Sequence, residues 1–102
     1  MAAKIIVLNL SKDNHINYMN WYCYILKCRD GSYYTGVTKD LDKRIEKHNQ
    51  GKGAKYTAMK RPVVLVWSKK FPSKIAALKK ENEIKEWKRD KKEELVHKVL
   101  LK

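Results

Sequence analysis

The sequence predicts a small α/β (α+β) domain in which helices flank a mainly antiparallel three-stranded sheet. An aromatic and apolar run at residues 21–28 leads into an Asp-Gly pair, a second apolar run follows Pro62, and charged segments with helical periodicity lie between and after them. The predicted order is strand, strand, helix, strand, helix, helix. A chain of 102 residues suffices for one compact domain and is too short for two.

The first two strands form a predicted hairpin. Residues 21–28 (WYCYILKC) and 33–37 (YYTGV) have the composition of strands, and Asp30-Gly31 between them is typical of a tight turn. A two-residue loop at Asp30-Gly31 would place Tyr24 and Tyr34 on opposite faces of the sheet, whereas a three-residue loop at 30–32 would place both on one face.

The rest of the domain alternates between helix and strand. A helix is predicted from about Asp40 to Asn49, with Thr38 or Asp40 as its N-cap and Gly51 and Gly53 at its end. The later elements are a basic loop at 51–61, a buried strand at 63–67, a helix from about 74 to 87 and a helical stretch from about 90 to the end.

The first 20 residues differ from the rest of the chain. They are polar and weakly patterned after Leu10, so we expect residues 1–20 to be an N-terminal extension and 21–102 to be the domain. They lack the basic start, long apolar stretch and cleavage site of a secretory leader. No apolar run approaches the roughly 20 residues that span a bilayer. These features predict a cytoplasmic protein without a membrane partner.

The two cysteines predict neither a disulfide nor a structural zinc site. Cys23 and Cys28 lie five positions apart on one strand, so their side chains should point to opposite faces. A structural zinc site commonly needs a second pair of ligands. We expect buried free thiols in a reducing compartment.

The charge predicts a polyanionic partner. Twenty-four Lys and Arg residues against eleven acidic residues give a formal net charge of +13. A small protein this basic commonly binds nucleic acid, and DNA is favoured over RNA. The alternative is a solvated, lysine-rich surface. The predicted nucleic-acid contacts are Lys52, Lys55, Tyr56, Lys60 and Arg61 in the basic loop, with Tyr56 as a stacking residue, and Lys80 on the later helix.

Polar side chains lie on the inward faces of two helices. On the first helix, His48 follows Leu41 and Ile45 along one face, and Arg44 lies beside them. On the later helix, Glu81 lies on an apolar face, where an isolated charge would cost several kcal/mol unless it is paired, metal-bound or at the rim of a cleft. Arg44 and Glu81 could instead form a structural ion pair, and His48 could be a satisfied core histidine.

Together, these residues resemble the GIY-YIG nuclease superfamily, and most closely its small stand-alone bacterial branch with an Slx1-like nuclease domain. The two name motifs correspond to residues 22–24 (YCY) and 34–36 (YTG). Tyr24, Tyr34 and Arg44 reproduce the family's two intervals of ten residues. His48 follows four positions after the arginine, and Glu81 fits the family's glutamate on a later helix. Val37 departs from several relatives, which have a lysine there.

The resemblance implies a divalent-metal-dependent endonuclease, with a role in DNA repair or recombination. Glu81 would hold a single Mg²⁺ or Mn²⁺, and Arg44 would contact the scissile phosphate. Tyr24 would be the general base or proton relay, with its pKa lowered by neighbouring cations. Tyr34 and His48 would position water and phosphate, and His48 competes as the base. This hypothesis requires both tyrosines on one face of the sheet, and hence the longer hairpin loop or a bulge.

Two other functions are compatible with the sequence. One is a catalytically weak or inactive nucleic-acid-binding protein on the same fold. The other is a lysine-rich structural protein without affinity for nucleic acid. An inward-facing glutamate such as Glu81 favours the enzyme, because a binding module does not need it.

Overall fold

The computed structural model of the protein describes residues 20–100. Its elements are β1 (Trp21–Lys27), β2 (Tyr33–Thr38), α1 (Leu41–Asn49), α2 (Lys55–Ala58), β3 (Val64–Phe71), α3 (Lys74–Lys85) and α4 (Arg89–Leu100). The predicted fold class and element order are confirmed, and α2 is an additional four-residue helix inside the predicted basic loop. The predicted extension at residues 1–20 lies outside the described residues except for Asn20. Within the described part of the chain, no helix is long and apolar enough to cross a membrane.

The sheet is built around β1. The strand order is β2-β1-β3, and both neighbours run antiparallel to β1. This arrangement follows from the sequence, because the middle of β1 is the most apolar strand segment and all four side chains from Cys23 to Leu26 are buried. β2 and β3 are the two edge strands.

The hairpin loop contains three residues, as the hypothesis requires. Tyr34 pairs with Leu26, and the Cys28 N–H donates to the Ser32 carbonyl, so residues 29–31 form the loop. Gly31 ends the turn at φ 88°, a left-handed conformation that glycine adopts without steric cost. The sequence placed the three-residue loop at 30–32, one residue too late in the chain. The predicted length was right, and because the loop length decides which face of the sheet each side chain occupies, Tyr24 and Tyr34 point to the same side.

The two faces of the sheet bury separate clusters. Cys23 and Ile25 pack with Ile84 of α3 on one face, whereas Tyr24 and Leu26 pack on the other. Leu41 and Ile45 of α1 and Cys28 of the hairpin lie on the second face. The cysteines are therefore free and buried on opposite faces, as predicted. Burial raises the pKa of the Cys23 thiol to about 12, which makes it unreactive.

Side chains at the helix ends determine where α1 begins and how it is joined to β3. Asp40 is the N-cap, and its Oδ1 accepts a hydrogen bond of 3.1 Å from the Lys43 N–H. At the other end, the Asn49 amide binds both backbone groups of Val63, accepting from its N–H at 2.7 Å and donating to its carbonyl at 3.1 Å. Asn49 thereby takes the place of a strand partner and fixes the chain just before β3.

We expect Asn49→Ala to destabilise the domain. The substitution leaves the N–H and carbonyl of buried Val63 without their partner, which costs about 2 kcal/mol in free energy of unfolding, on the order of 10 °C in Tm. Thermal and urea unfolding followed by circular dichroism would measure the change. Asn82→Ala, at an exposed position of α3, is the matched control and should change little. Equal stability of both variants would contradict this role of Asn49.

Candidate active site

Three aromatic side chains from three elements form the centre of the site. Tyr24 on β1, Tyr34 on β2 and His48 near the end of α1 have ring centroids 6.3 Å (Tyr24–Tyr34), 6.1 Å (Tyr24–His48) and 5.0 Å (Tyr34–His48) apart. Tyr24 and His48 are fully buried. The structure therefore brings together three of the residues predicted to share a site.

A chain of hydrogen bonds runs through this centre and holds both ring nitrogens of His48. The Tyr24 hydroxyl lies 3.0 Å from His48 Nε2, and His48 Nδ1 lies 2.7 Å from Thr57 Oγ1. The Thr57 hydroxyl also lies 3.2 Å from the Ala54 carbonyl. If the hydroxyl donates its one hydrogen to that carbonyl, it accepts from the Nδ1–H of His48, and Nε2 is then free to accept from Tyr24.

Thr57 is the residue that sequence reasoning missed. It is fully buried in α2, inside the segment predicted to be a basic loop. A Cβ built on Gly53 would lie 2.6 Å from His48 Cγ, so this loop packs its backbone directly on the imidazole. The signal in the sequence was Gly53, which lacks the side chain that would prevent this approach.

The glycine of the second name motif gives Tyr24 its space. Gly36 pairs with Tyr24 across the hairpin, and a Cβ at Gly36 would lie 2.6 Å from the Tyr24 hydroxyl and 3.1 Å from Tyr34 Cε2. Any side chain here would displace the Tyr24 ring. Gly36 therefore permits the hydrogen bond between Tyr24 and His48.

The prediction that cations lower the pKa of Tyr24 is wrong. Burial and the neighbouring Tyr34 raise the pKa of the Tyr24 phenol to about 12, although the charge and hydrogen bond of Arg44 act in the opposite direction. Desolvation outweighs the single guanidinium because Tyr24 is fully buried. Burial, and secondly the charge of Arg44, also lower the pKa of His48, so its imidazole is neutral at neutral pH.

Glu81 comes from a different helix than the residues of the aromatic centre. It lies on α3, whose residue Ile84 packs against the opposite face of the sheet. Within residues 20–100, its ion-pair partner is Lys85, at 3.3 Å, and not Arg44. Its side chain is only 13% exposed, and its charge raises the pKa values of both Cys23 and Tyr24. The carboxylate therefore acts electrostatically on residues of both faces.

A hard divalent cation would find one suitable carboxylate here. Among the described residues, no three His, Cys, Asp or Glu side chains are grouped closely enough to hold a metal. Mg²⁺ commonly binds through one or two carboxylates and completes its shell with water and substrate phosphate. The nearly buried Glu81 carboxylate fits that type of site, and Lys85 would have to share it or move.

Tyr56 and Lys60 form a connected pair beside the centre. Lys60 Nζ lies 3.8 Å from the centroid of the Tyr56 ring and 3.3 Å from Asp30 Oδ2. The Tyr56 ring is tilted by 31° to that of Tyr34, with 6.1 Å between centroids, and Tyr56 is 44% exposed. The ammonium of Lys60 thus already has partners within the protein.

The other predicted nucleic-acid contacts divide into two groups. Lys52 and Lys55 are exposed. Arg61 donates through Nε to the Ala58 carbonyl at 2.7 Å, and Lys80 pairs with Glu83 at 2.9 Å. All four are at the surface, and the prediction that they contact nucleic acid stays a prediction.

The chain resembles known proteins over most of its length. Residues 20–94 match the family described as the GIY-YIG catalytic domain. UPF0213 protein SSP2268 of Staphylococcus saprophyticus is 57% identical over 75 residues, which are 74% of this chain and 92% of that protein.

Two solution structures share the fold. That of UPF0213 protein BH0048 from Bacillus halodurans has a TM-score of 0.51 and 56% identity, over 78% of this chain and 84% of that one. That of protein EF2693 from E. faecalis has a TM-score of 0.55 and 36% identity, over 81% and 88%.

The buried imidazole should make the domain less stable in acid. Burial and Arg44 hold the pKa of His48 below its ordinary value of 6.5, so the unfolded chain binds a proton that the folded chain does not. The contribution of neutral His48 to stability is complete above pH 6.5 and is lost as the pH falls through the lowered pKa. Urea unfolding at a series of pH values would measure the decrease.

Two variants separate His48 from the other titrating groups. His48→Gln should remove this part of the pH dependence, whereas His97→Gln, at an exposed position of α4, should leave it unchanged. An identical pH profile in wild type and His48→Gln would contradict the expectation.

Proposed function

We propose that this chain, which belongs to the GIY-YIG catalytic domain family, is a divalent-metal-dependent endonuclease that hydrolyses phosphodiester bonds in nucleic acid. DNA is the favoured substrate, with a role in repair or recombination. The observation that carries the proposal is the hydrogen-bond chain Tyr24–His48–Thr57. In this chain, the buried Tyr24 hydroxyl can pass its proton to the neutral imidazole of His48, and a proton acceptor of this kind is needed to activate a water molecule.

Tyr24 would act as a proton relay between water and His48. Because burial raises the pKa of Tyr24 to about 12, a free phenolate is not formed at neutral pH. Once substrate binding brings the attacking water to this buried hydroxyl, the hydroxyl would accept a proton from the water while it donates its own proton to His48 Nε2, 3.0 Å away. A bound phosphate would raise the pKa of His48 and so favour this transfer. The structure thus supports both residues in one relay and not as competing bases.

Arg44 would bind the scissile phosphate. Its guanidinium is close enough to lower the pKa values of both Tyr24 and His48, so its charge lies beside the proposed relay. A planar fork of donors suits phosphate oxygens, and its charge offsets the charge that develops in the transition state. Tyr34, whose ring contacts those of Tyr24 and His48, would help to position the water.

Glu81 would hold the Mg²⁺ or Mn²⁺ ion. When bound, the cation supplies charge neutralisation to the phosphate and the leaving oxygen. The protein's part is to keep this carboxylate nearly buried, at a side-chain exposure of 13%. The exposed Lys52 and Lys55 would contact phosphates further along the strand without reading its sequence.

A binding protein on the same fold is the second candidate function. It is favoured by the ion pair of Glu81 with Lys85, since a paired carboxylate is less available to a metal. The net charge of +13 would support binding without any cleavage.

We expect Glu81→Ala to abolish cleavage and preserve binding. Labelled single-strand, duplex, flap, Holliday-junction and RNA-hairpin substrates would be incubated with Mg²⁺ or Mn²⁺. The variant should cut at least about 100-fold more slowly, while its salt-dependent affinity stays near that of wild type.

Glu83→Ala is the control for this experiment. Glu83 lies on the same helix as Glu81 and pairs with Lys80, and its side chain is 51% exposed. It should retain full activity. Equal cleavage by wild type and Glu81→Ala would refute the role of Glu81, and binding without cleavage by wild type would favour the second candidate.

Thr57→Val should weaken cleavage through His48. Without an acceptor at Nδ1, His48 loses the contact that holds its proton there, and Nε2 becomes protonated in part of the population. The ¹⁵N chemical shifts of the His48 ring would report the tautomer, and the pH profile of cleavage would report its effect on activity. Thr57→Ser keeps the hydroxyl and should retain the wild-type tautomer and pH profile. An unchanged tautomer in Thr57→Val would show that Thr57 does not set it.

A further inference from the structure

A cleft lies at the outer edge of β2, and the proposed mechanism uses only Tyr34 of its lining. Its volume is about 260 Å³. The cleft is lined by Tyr33, Tyr34, Thr35, Tyr56, Lys85 and Lys92. Because neighbouring residues on a strand point to opposite faces, the walls at Tyr33 and Tyr34 show that the cleft passes around the edge of the sheet. It therefore connects the side that carries His48 with the side that carries α3.

The Tyr56 ring is a partly exposed aromatic surface held in place. Tyr56 is 44% exposed, so part of its side chain is accessible to a ligand. Lys60 lies over the ring at 3.8 Å and is itself anchored to Asp30 at 3.3 Å, while Tyr34 contacts the ring from the catalytic centre. These contacts limit the freedom of the ring before any ligand binds, which lowers the entropic cost of stacking.

Positive charge lines the same cleft from the helices. Lys85 is paired with Glu81, whereas Lys92 of α4 forms no ion pair within the described residues 20–100. An aromatic wall together with an ammonium matches a nucleotide, which has a flat base and an anionic phosphate. The volume lies below the about 300–1,000 Å³ of sites for drug-sized ligands, so it suits one base better than an extended ligand.

We propose that this cleft is a subsite for one nucleobase of the strand being cut, stacked on Tyr56, with an adjoining phosphate contacted by Lys92. The inference rests on the proposed function for its substrate. Tyr34 belongs both to the catalytic centre and to the cleft wall, so the bound base belongs to a nucleotide flanking the scissile bond. A base that stacks on Tyr56 leaves the stack of its own strand, so the nucleotide is unstacked at the cut.

The test is a walk of 2-aminopurine through one oligonucleotide, bound to the full chain in EDTA so that no strand is cut. We expect a fluorescence change confined to one position of the label at the site of binding. Tyr56→Ala should remove this change and weaken binding by roughly 5- to 100-fold, because stacking on an aromatic side chain contributes that much per base. Tyr56→Phe keeps the ring and should retain both properties.

Two further variants complete the test. Met59→Ala, at an 83% exposed position outside the cleft, is the control for loss of a surface side chain near Tyr56. Lys92→Ala should lower the slope of log affinity against log salt by about 0.7–0.9, the value for one lost phosphate contact. Lys98→Ala, on α4 outside the cleft, should leave the slope unchanged.

The outcomes separate this subsite from the endonuclease itself. If the protein cuts no substrate but shows a 2-aminopurine fluorescence change that depends on Tyr56, the result supports the subsite and refutes the endonuclease activity. Tyr56→Ala that binds as tightly as wild type, with the fluorescence change intact, overturns the subsite even if cleavage is normal.

Discussion

The register of the β1–β2 hairpin is the constraint on which the site depends. Leu26 pairs with Tyr34 because the loop holds three residues, and this puts Tyr24 and Tyr34 on one face. A loop shorter by one residue would turn the second tyrosine toward α3 and away from His48. Gly31 at φ 88° permits the turn, and Gly36 leaves room for the Tyr24 hydroxyl. Two glycines therefore support the geometry of the aromatic centre.

Buried polar groups in this face need partners, and the chain supplies them in sequence. Tyr24 bonds to His48, His48 to Thr57, and Thr57 to the Ala54 carbonyl. An unpaired hydroxyl or imidazole here would cost about 1–3 kcal/mol, so the same contacts that stabilise the core also orient the proposed relay. The hydrogen bond from His48 to Thr57 requires the loop that carries Thr57 to pack closely on the imidazole.

The proposed chemistry uses residues of two helices that pack against the sheet. His48 and Arg44 belong to α1, whereas Glu81 belongs to α3 and its charge reaches Tyr24. The cleft lined by Tyr34 and Lys85 lies beside both groups, since Tyr34 contacts His48 and Lys85 pairs with Glu81. Within the described residues, β2 has no neighbouring strand on its outer side, so this cleft is accessible.

Local sequence patterns determined the elements and their order, because strand composition, the Asp-Gly turn and the Asp40 cap act within a few residues. The intervals joining Tyr24, Tyr34 and Arg44 likewise depend on spacing along the chain. Only the tertiary structure decided the surroundings of each side chain. Burial raises the pKa of Tyr24, whereas the sequence predicted that neighbouring cations would lower it. Lys60 contacts Asp30 and Tyr56, and Thr57 is hydrogen-bonded to His48. Desolvation and long-range hydrogen bonds arise between segments distant in sequence, so no local pattern encodes them.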